Sequence, residues 1–525
     1  MIPLFFLAGF VLFSVFKLVS STIEKRRINA ESLRLGCKPA KVAANRLPLG
    51  IDLIQRYLKA DVDNCLPDLL IERTIEQGTQ TFKNNVLGSE QIFTTEPKNL
   101  QAMLATQFSD FSLGAVRRGN FFPLLGNGIF TQDGKAWEHS RGMMRPQFAR
   151  EQIQDLGLEE THVQNMMQAI QTDPKNGWTG TIDLQTLFFR LTLDSATDFL
   201  FGESADSQLA ELPENKSKRK GKATSRDEIM FANAFDTSQK ALATRLRFAD
   251  KYWVYNTAEF RSANKICHDF IDHYVTIALR GKPTGKKEQT PGVKEKYVFL
   301  EQLAKETRDP IELRSQLLNL LLAGRDTTAS LLGWLFYLLA RDQTQWNMLR
   351  SAILDDFGTY KNPSNLTFER IKGCQYLQHT MNEVLRLFPI VPLNIRFATK
   401  DTTLPLGGGA DGKSPIFVKK GQEVQYSVHV MQRRKDLWGD DADEFKPERW
   451  MGRKIDWSYL PFNGGPRICI GQQFALTEAS YVAIRLMQRF DEIENMLPEE
   501  RPRHNFTLTN CSASGCVVRL HEATS

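Results

Sequence analysis

The sequence predicts a mainly α-helical protein with small β-sheets, one large domain behind an N-terminal transmembrane anchor. Three observations predict it. Helical apolar spacing, filled in with Glu, Lys, Gln and Leu, dominates residues 151–202, 229–279 and 299–350. Strand-like alternation with turn chemistry is confined to residues 402–430, so the β part is small. From Met1 to Phe16 no side chain is charged.

The 525 residues are 42% apolar and 24% charged, which describes a folded chain with a sizeable core. A net charge of +6 over this length is too dilute for a nucleic-acid binder, and a mean hydropathy of −0.35 is too polar for a polytopic membrane protein. The seven cysteines are odd in number and scattered. They argue against a disulfide scaffold and for a reducing compartment, and leave a thiol free to be a ligand.

At the amino terminus, Lys17 interrupts the uncharged run, and apolar residues resume at Leu18, Val19 and Ile23. Roughly 20–22 residues span a ~30 Å hydrocarbon core if Lys17 snorkels to its edge. The basic cluster Lys25, Arg26 and Arg27 follows the apolar run instead of preceding it, so the bulk of the chain is expected on the cytoplasmic side. Residues 1–23 are read as a signal anchor, 24–50 as a linker punctuated by Gly36, Pro39, Pro48 and Gly50, and 51–525 as the functional domain. A second apolar stretch, Leu317 to Ala340, carries Arg325 and Asp326 near its middle. Each charge there costs roughly 2.5–3.5 kcal/mol in a membrane, so the stretch is a long helix of a soluble core. Residues 214–226, with six basic side chains, and 281–292 are expected as exposed loops.

Three segments invite a functional reading. Gly407 to Ser414 satisfies the phosphate-loop pattern G-x-x-x-x-G-K-[ST], but Pro415 and a short β-type run follow where a helix is required. A hairpin fits better than a membrane-tethered nucleotidase. His504, Cys511, Cys516 and His521 offer four zinc ligands without any C-x₂-C pair, so buried thiols are the better reading. Phe462 to Gly471 is the informative segment. Its glycines and Pro466 permit a tight turn before Cys469, and the helical pattern from Gln472 aims a positive N-terminus at the sulfur, which favours a thiolate. Such a thiolate serves as nucleophile or metal ligand. No His base lies between His429 and His504.

Read as F-x-x-G-x-R-x-C-x-G, Phe462 to Gly471 resembles the haem-thiolate loop of the cytochrome P-450 superfamily. Other family elements recur in order. Trp137 to Arg141 is similar to its W-x-x-x-R element, Ala323 to Thr328 to its oxygen-activating motif, Glu383 to Arg386 to its E-x-x-R helix, and Phe445 to Trp450 to its P-E-R segment.

The resemblance implies the P-450 fold and a haem-thiolate monooxygenase. Cys469 is then the iron ligand, its electron donation favouring O–O cleavage. Phe462, Gly465 and Gly471 shape the haem-binding loop, while Trp137, Arg141, Arg396 and Arg467 are the expected partners of the haem propionates. Glu383, Arg386 and Arg449 form a buried structural triad. Asp326 and Thr327 are the expected proton relay, with a local widening of the helix at Gly324 where Thr327 bonds back to a carbonyl.

The implied cofactors are haem b, O2 and NADPH-derived electrons. The implied partners are NADPH–cytochrome P-450 reductase, the endoplasmic reticulum membrane and an apolar small molecule; nucleic acid is not among them. Arg145, Arg433, Arg434, Arg453 and Lys454 are candidates for a basic docking face. Arg118 to Asp133, Arg141 to Arg150, Gly407 to Lys420 and Pro461 to Tyr481 resemble the fungal branch that hydroxylates n-alkanes and fatty acids, with a secondary metabolite or xenobiotic as the alternative substrate. Pocket walls are expected from Phe111 to Phe130, Leu317 to Ala323, Ile390 to Ile395 and around Leu508.

Overall fold

The structure, a computed structural model, describes residues 2–86, 88–149, 154, 156–212, 215, 224–280, 297–498 and 501–524. The basic segment 216–222 and the whole of 281–292 lie outside the described residues.

The body is built around one long helix, Pro310–Leu339. Asp309 starts it by accepting the Ile311 N–H at 2.9 Å, and Pro310 occupies the first turn, where its missing N–H is harmless. Apolar on nearly every face, this helix must be buried on all sides. Its first half, through Leu322, packs in a cluster with Leu193, Phe199, Phe235, Phe260 and Phe299. Its second half, from Ala329, packs in another with Phe188, Met381, Val384 and Ile484. Between the two clusters, Ala323, Gly324 and Thr327 stay half-buried, spaced to form one stripe on the helix. The charges that argued against a membrane span are buried too: Arg325 pairs with Asp236 and lies 3.5 Å from Asp326.

The β-structure is wider than the sequence predicts. A six-stranded sheet runs in the order Lys41–Val42, Thr81–Val86, Ser89–Thr94, Glu423–Ser427, Leu393–Ala398, Phe111–Ser112. A three-stranded sheet joins Phe490–Asn495, Val517–Glu522 and Ile182–Asp183. Strands of two to six residues, with Asn84 and Asn85 inside one of them, are too short and too polar to display a period. Where alternation is visible, strand Thr402–Gly408 does pair antiparallel with Ser414–Val418. Gly407 to Ser414 is therefore a hairpin end, and the strand after it stands where a phosphate loop needs a helix. That removes the nucleotidase alternative.

The first helix, Ile2–Arg34, runs past residue 23 into the stretch read as linker. Among the described residues, no helix is long and apolar enough to cross a membrane. Leu12, Phe13, Phe16, Leu18, Val19 and Ile23 nevertheless stand exposed along it, and Arg27 ties its far end to Asp401.

Candidate active site

The loop before helix Gln472–Arg489 takes its shape from close packing. Gly465 has φ +67°, and a Cβ there would meet the Leu104 carbonyl oxygen at 1.8 Å, so only glycine fits against the helical turn Ala102–Thr106. The Ile468 N–H donates to Gly465 O at 3.0 Å and the Cys469 N–H to Phe462 O at 2.9 Å, closing the loop. Cys469 is exposed, yet burial within the surrounding protein pushes its thiol above the usual range. That combination, solvent-accessible surface with a desolvated sulfur, suits a side chain on the wall of a cleft.

The Gly471 N–H and the Arg141 charge both favour the thiolate, as the sequence leads one to expect, but desolvation outweighs them. A thiol of this kind deprotonates when a metal cation takes the proton's place.

Around Arg467, two residues before Cys469, the structure gathers three more arginines. Arg467 donates to Asp133 Oδ1 at 2.8 Å and to the Gln132 and Ile129 carbonyls; Arg141 donates to the Ile468 carbonyl at 3.0 Å. The Trp137 ring carries both guanidiniums, 4.3 Å from Arg467 and 5.8 Å from Arg141. Arg396 Nη1 and Arg117 Nη1 share Asn394 Oδ1, at 3.2 and 3.1 Å. Burial, aided by mutual repulsion, lowers Arg467 and Arg117 to about 10 each. Desolvation also lowers Arg141. Four cations facing one carboxylate, Asp133, form a site for a bound dianion. That donor set, beside an accessible thiol, fits the two propionates and the iron of a haem.

Arg117 escaped the sequence reading. It lay inside the expected pocket wall Phe111 to Phe130, where no spacing rule marks it as a cation of the site.

Central-helix residues divide between two environments. Thr327 Oγ1 donates to the Ala323 carbonyl at 2.6 Å on the half-buried stripe. The expected widening is absent, since the helix runs as unbroken α-helix through Gly324 and the back-bond alone marks the place. Asp326 is buried beside Arg325, Asp236 and Gln239, and burial raises its carboxyl pKa. The two expected relay residues are thus neighbours in sequence with different surroundings. Ile129, Phe130, Ile470, Phe474 and Leu508 are half-buried against the same cluster as Leu320 to Leu322, which brings loop, central helix and three expected pocket walls together.

The triad closes as expected. Arg386 Nε and Nη2 hold both Glu383 oxygens at 2.8 Å, with neither side chain exposed. Arg449 Nε, Trp450 Nε1 and the Lys446 N–H complete the carboxylate. Remaining Arg386 donors reach the Gln432, Ala442 and Glu444 carbonyls.

One expectation is corrected, and the reading of Cys511 and Cys516 as buried thiols stands. Arg433 pairs with Asp443, Arg434 with Asp436 and Glu96, and Arg453 stacks 3.8 Å over Trp438, so three of the five docking candidates serve local structure. The C-terminal zinc set does not assemble: His521 pairs with Asp491, Cys511 reaches the Asn505 carbonyl and Cys516 is buried.

Comparison with known proteins agrees with this geometry. A family model described as Cytochrome P450 matches residues 76–511. Cytochrome P450 monooxygenase g430 of a Fusarium species is 54% identical over 96% of this chain and 88% of its own length. Cytochrome P450 monooxygenase alt2 of Alternaria solani is 44% identical over 98% and 97%. Cytochrome P450 52A12 of Debaryomyces hansenii is 45% identical over 94% of each.

Proposed function

The chain belongs to the cytochrome P450 family of haem-dependent monooxygenases, and on that premise we propose that it hydroxylates n-alkanes or fatty acids. The observation that carries this reading is the accessible but desolvated Cys469, two residues along from Arg467 and its arginine cluster, next to an apolar cleft bordered by the central helix. Resemblance of four segments to the fungal alkane and fatty-acid hydroxylases supports the substrate class, and so does the likeness to Cytochrome P450 52A12.

In this reading Cys469 holds the haem iron, and Arg117, Arg141, Arg396 and Arg467 neutralise the propionates with Trp137 packed between two of them. Phe462, Gly465 and Gly471 set the loop, with the Gly471 N–H donating to the sulfur. The haem, when bound, supplies the chemistry that inserts one atom of O2 into a C–H bond and releases the other as water. Half-buried Ile129, Phe130 and Leu508 exclude water and orient an extended chain. The Thr327 hydroxyl passes protons into the site, while Asp326, desolvated and leaning on Arg325, is the titratable group behind it. Electrons come from NADPH through a reductase. Residues 1–23 anchor residues 51–525 to the endoplasmic reticulum membrane, a role suited to the exposed apolar row from Leu12 to Ile23 and the basic cluster that follows.

The reduced, carbon-monoxide-treated protein is expected to show the Soret band of thiolate-ligated haem, and Cys469→Ala to abolish it. A spectral binding screen over alkanes, fatty acids and aromatics then tests the substrate. Long-chain lipids are expected to shift the spectrum; a shift with aromatics alone would sink the lipid reading.

A further inference from the structure

Away from the Cys469 loop, Asp68 stands in the first turn of helix Leu66–Gln77, His429 in the short helix Val428–Met431, and His504 at the start of strand His504–Phe506. Their ligating atoms all lie within 4.8 Å of one another. Asp68 Oδ1 is 4.0 Å from His429 Nε2 and 3.8 Å from His504 Nε2. Those separations are too long for hydrogen bonds. They exceed by about half an ångström the spacing of about 3.4 Å between ligand atoms of a tetrahedral zinc with bonds of about 2.0–2.1 Å. Small side-chain shifts close that gap.

Two independent features of the imidazoles point to a ligand. His429 has no exposure, and among the described residues neither of its ring nitrogens has a hydrogen-bond partner. Buried imidazole nitrogens are ordinarily satisfied, so an orphaned pair calls for an explanation. His504 Nδ1 meets Asn510 Oδ1 at 2.9 Å. With Asn510 Oδ1 as the acceptor, the ring proton sits on Nδ1 and the Nε2 lone pair turns toward the Asp68 carboxylate. Two acceptors facing each other repel unless a cation stands between them. The Nδ1–H contact is also the outer-shell bond that fixes the tautomer of a metal-ligating histidine.

Electrostatics agrees with the geometry. Burial holds both histidines below their usual range, so at neutral pH they offer lone pairs with little competition from protons. Arg433 is the opposing charge, within Coulombic reach of His429 and Asp68. Its guanidinium is engaged by Asp443 at 3.0 Å and by the Leu387 carbonyl at 2.9 Å, which offsets part of the repulsion.

We propose that Asp68, His429 and His504 bind one divalent transition-metal ion, zinc by ligand preference. Two imidazoles and one carboxylate suit zinc and disfavour calcium or magnesium, which take oxygen ligands. The half-exposed side of Asp68 leaves the fourth position to water. The ion pins three segments distant in sequence, among them the hairpin of His504–Phe506 with Asn510–Ser512, whose turn carries Leu508 against the apolar cleft.

The test uses the full-length haem-loaded protein, stripped with a chelator, dialysed against micromolar zinc and analysed for both metals. One zinc per chain is expected in addition to the haem iron. Binding should weaken in both Asp68→Asn and His429→Ala by more than the roughly 10–100-fold that loss of an outer-shell partner costs. Zinc should raise the melting temperature of the unmodified protein and of neither variant. Asp68→Asn, at a half-exposed position, keeps the test valid if His429→Ala does not fold, and the iron-to-protein ratio reports folding in each. No zinc retained by the unmodified protein, or zinc retained equally by Asp68→Asn, overturns the proposal.

Discussion

Two arginine-rich networks, both buried, have opposite accounts of charge. Around Glu383 every donor finds an acceptor: two arginines meet two carboxylates, Glu383 and Asp441, a tryptophan N–H and a backbone N–H complete Glu383, and spare arginine donors end on carbonyls. In the Arg467 network four arginines face one carboxylate, and two of them are driven down to about 10 by desolvation and repulsion. The first network completes itself and can only hold the fold together. The second is complementary to something negative that the chain does not itself supply. Charge balance therefore separates a structural network from a binding one where burial alone does not.

The sharpest way to break this comparison is to unbalance the closed network. Glu383→Ala strands Arg386 without a counter-charge at zero exposure, which costs about 3–5 kcal/mol. The expected outcome is loss of soluble, haem-containing protein, read as yield and melting temperature. Normal folding of the variant would show that its carbonyl acceptors alone suffice for Arg386.

In the open network the same kind of deletion should act in reverse. Arg396→Gln removes one of two desolvated cations that share Asn394 Oδ1. Haem affinity should fall by about 1.5–3 kcal/mol, roughly 10–100-fold, while the haem-free chain keeps or gains stability. Titration with haem and denaturant unfolding of the haem-free chain measure the two separately. A stability loss as large as that of Glu383→Ala would erase the distinction.

A smaller effect is expected at Thr327, whose hydroxyl proton is committed to the Ala323 carbonyl. Thr327→Ala should leave folding intact and raise the electrons consumed per product formed severalfold, measured as NADPH oxidised against product. Unchanged coupling would remove Thr327 from the relay.

How far these networks were legible in the sequence follows from their spacing. Glu383 and Arg386, three apart, had to share a helix face, and Phe462 to Gly471 is contiguous, so both could be read before the fold was known. Arg117 joins Arg396 only because strand Phe111–Ser112 lies on strand Leu393–Ala398, a pairing across about 280 residues that no local period encodes. The different surroundings of Asp326 and Thr327 were illegible for a related reason. Adjacent helix positions point about 100° apart, and only the packing of Asp236 and Gln239 decides which faces the cleft. The six-stranded sheet was missed because its strands are held by partners from distant segments rather than by their own alternation.

Glu478 offers the finest test, because it lies between the two extremes. It is a buried carboxyl whose hydrogen-bond partners are the hydroxyls of Ser195 and Thr328, and burial raises its pKa to about 7. In the unfolded chain it ionises near 4.5. Between pH 4.5 and about 7 the folded state therefore holds a proton that the unfolded state has released. The contribution of Glu478 to stability is full below pH 4.5, falls as pH rises through that window, and levels off above it. Glu478→Gln keeps a hydrogen-bonding group without the charge, so it should flatten the loss of stability between pH 5 and pH 7 and leave the variant relatively more stable at pH 8. Denaturant unfolding at several pH values measures this. An unchanged slope would mean that Glu478 is already ionised in the folded protein and that a neighbouring charge, not two hydroxyls, balances it.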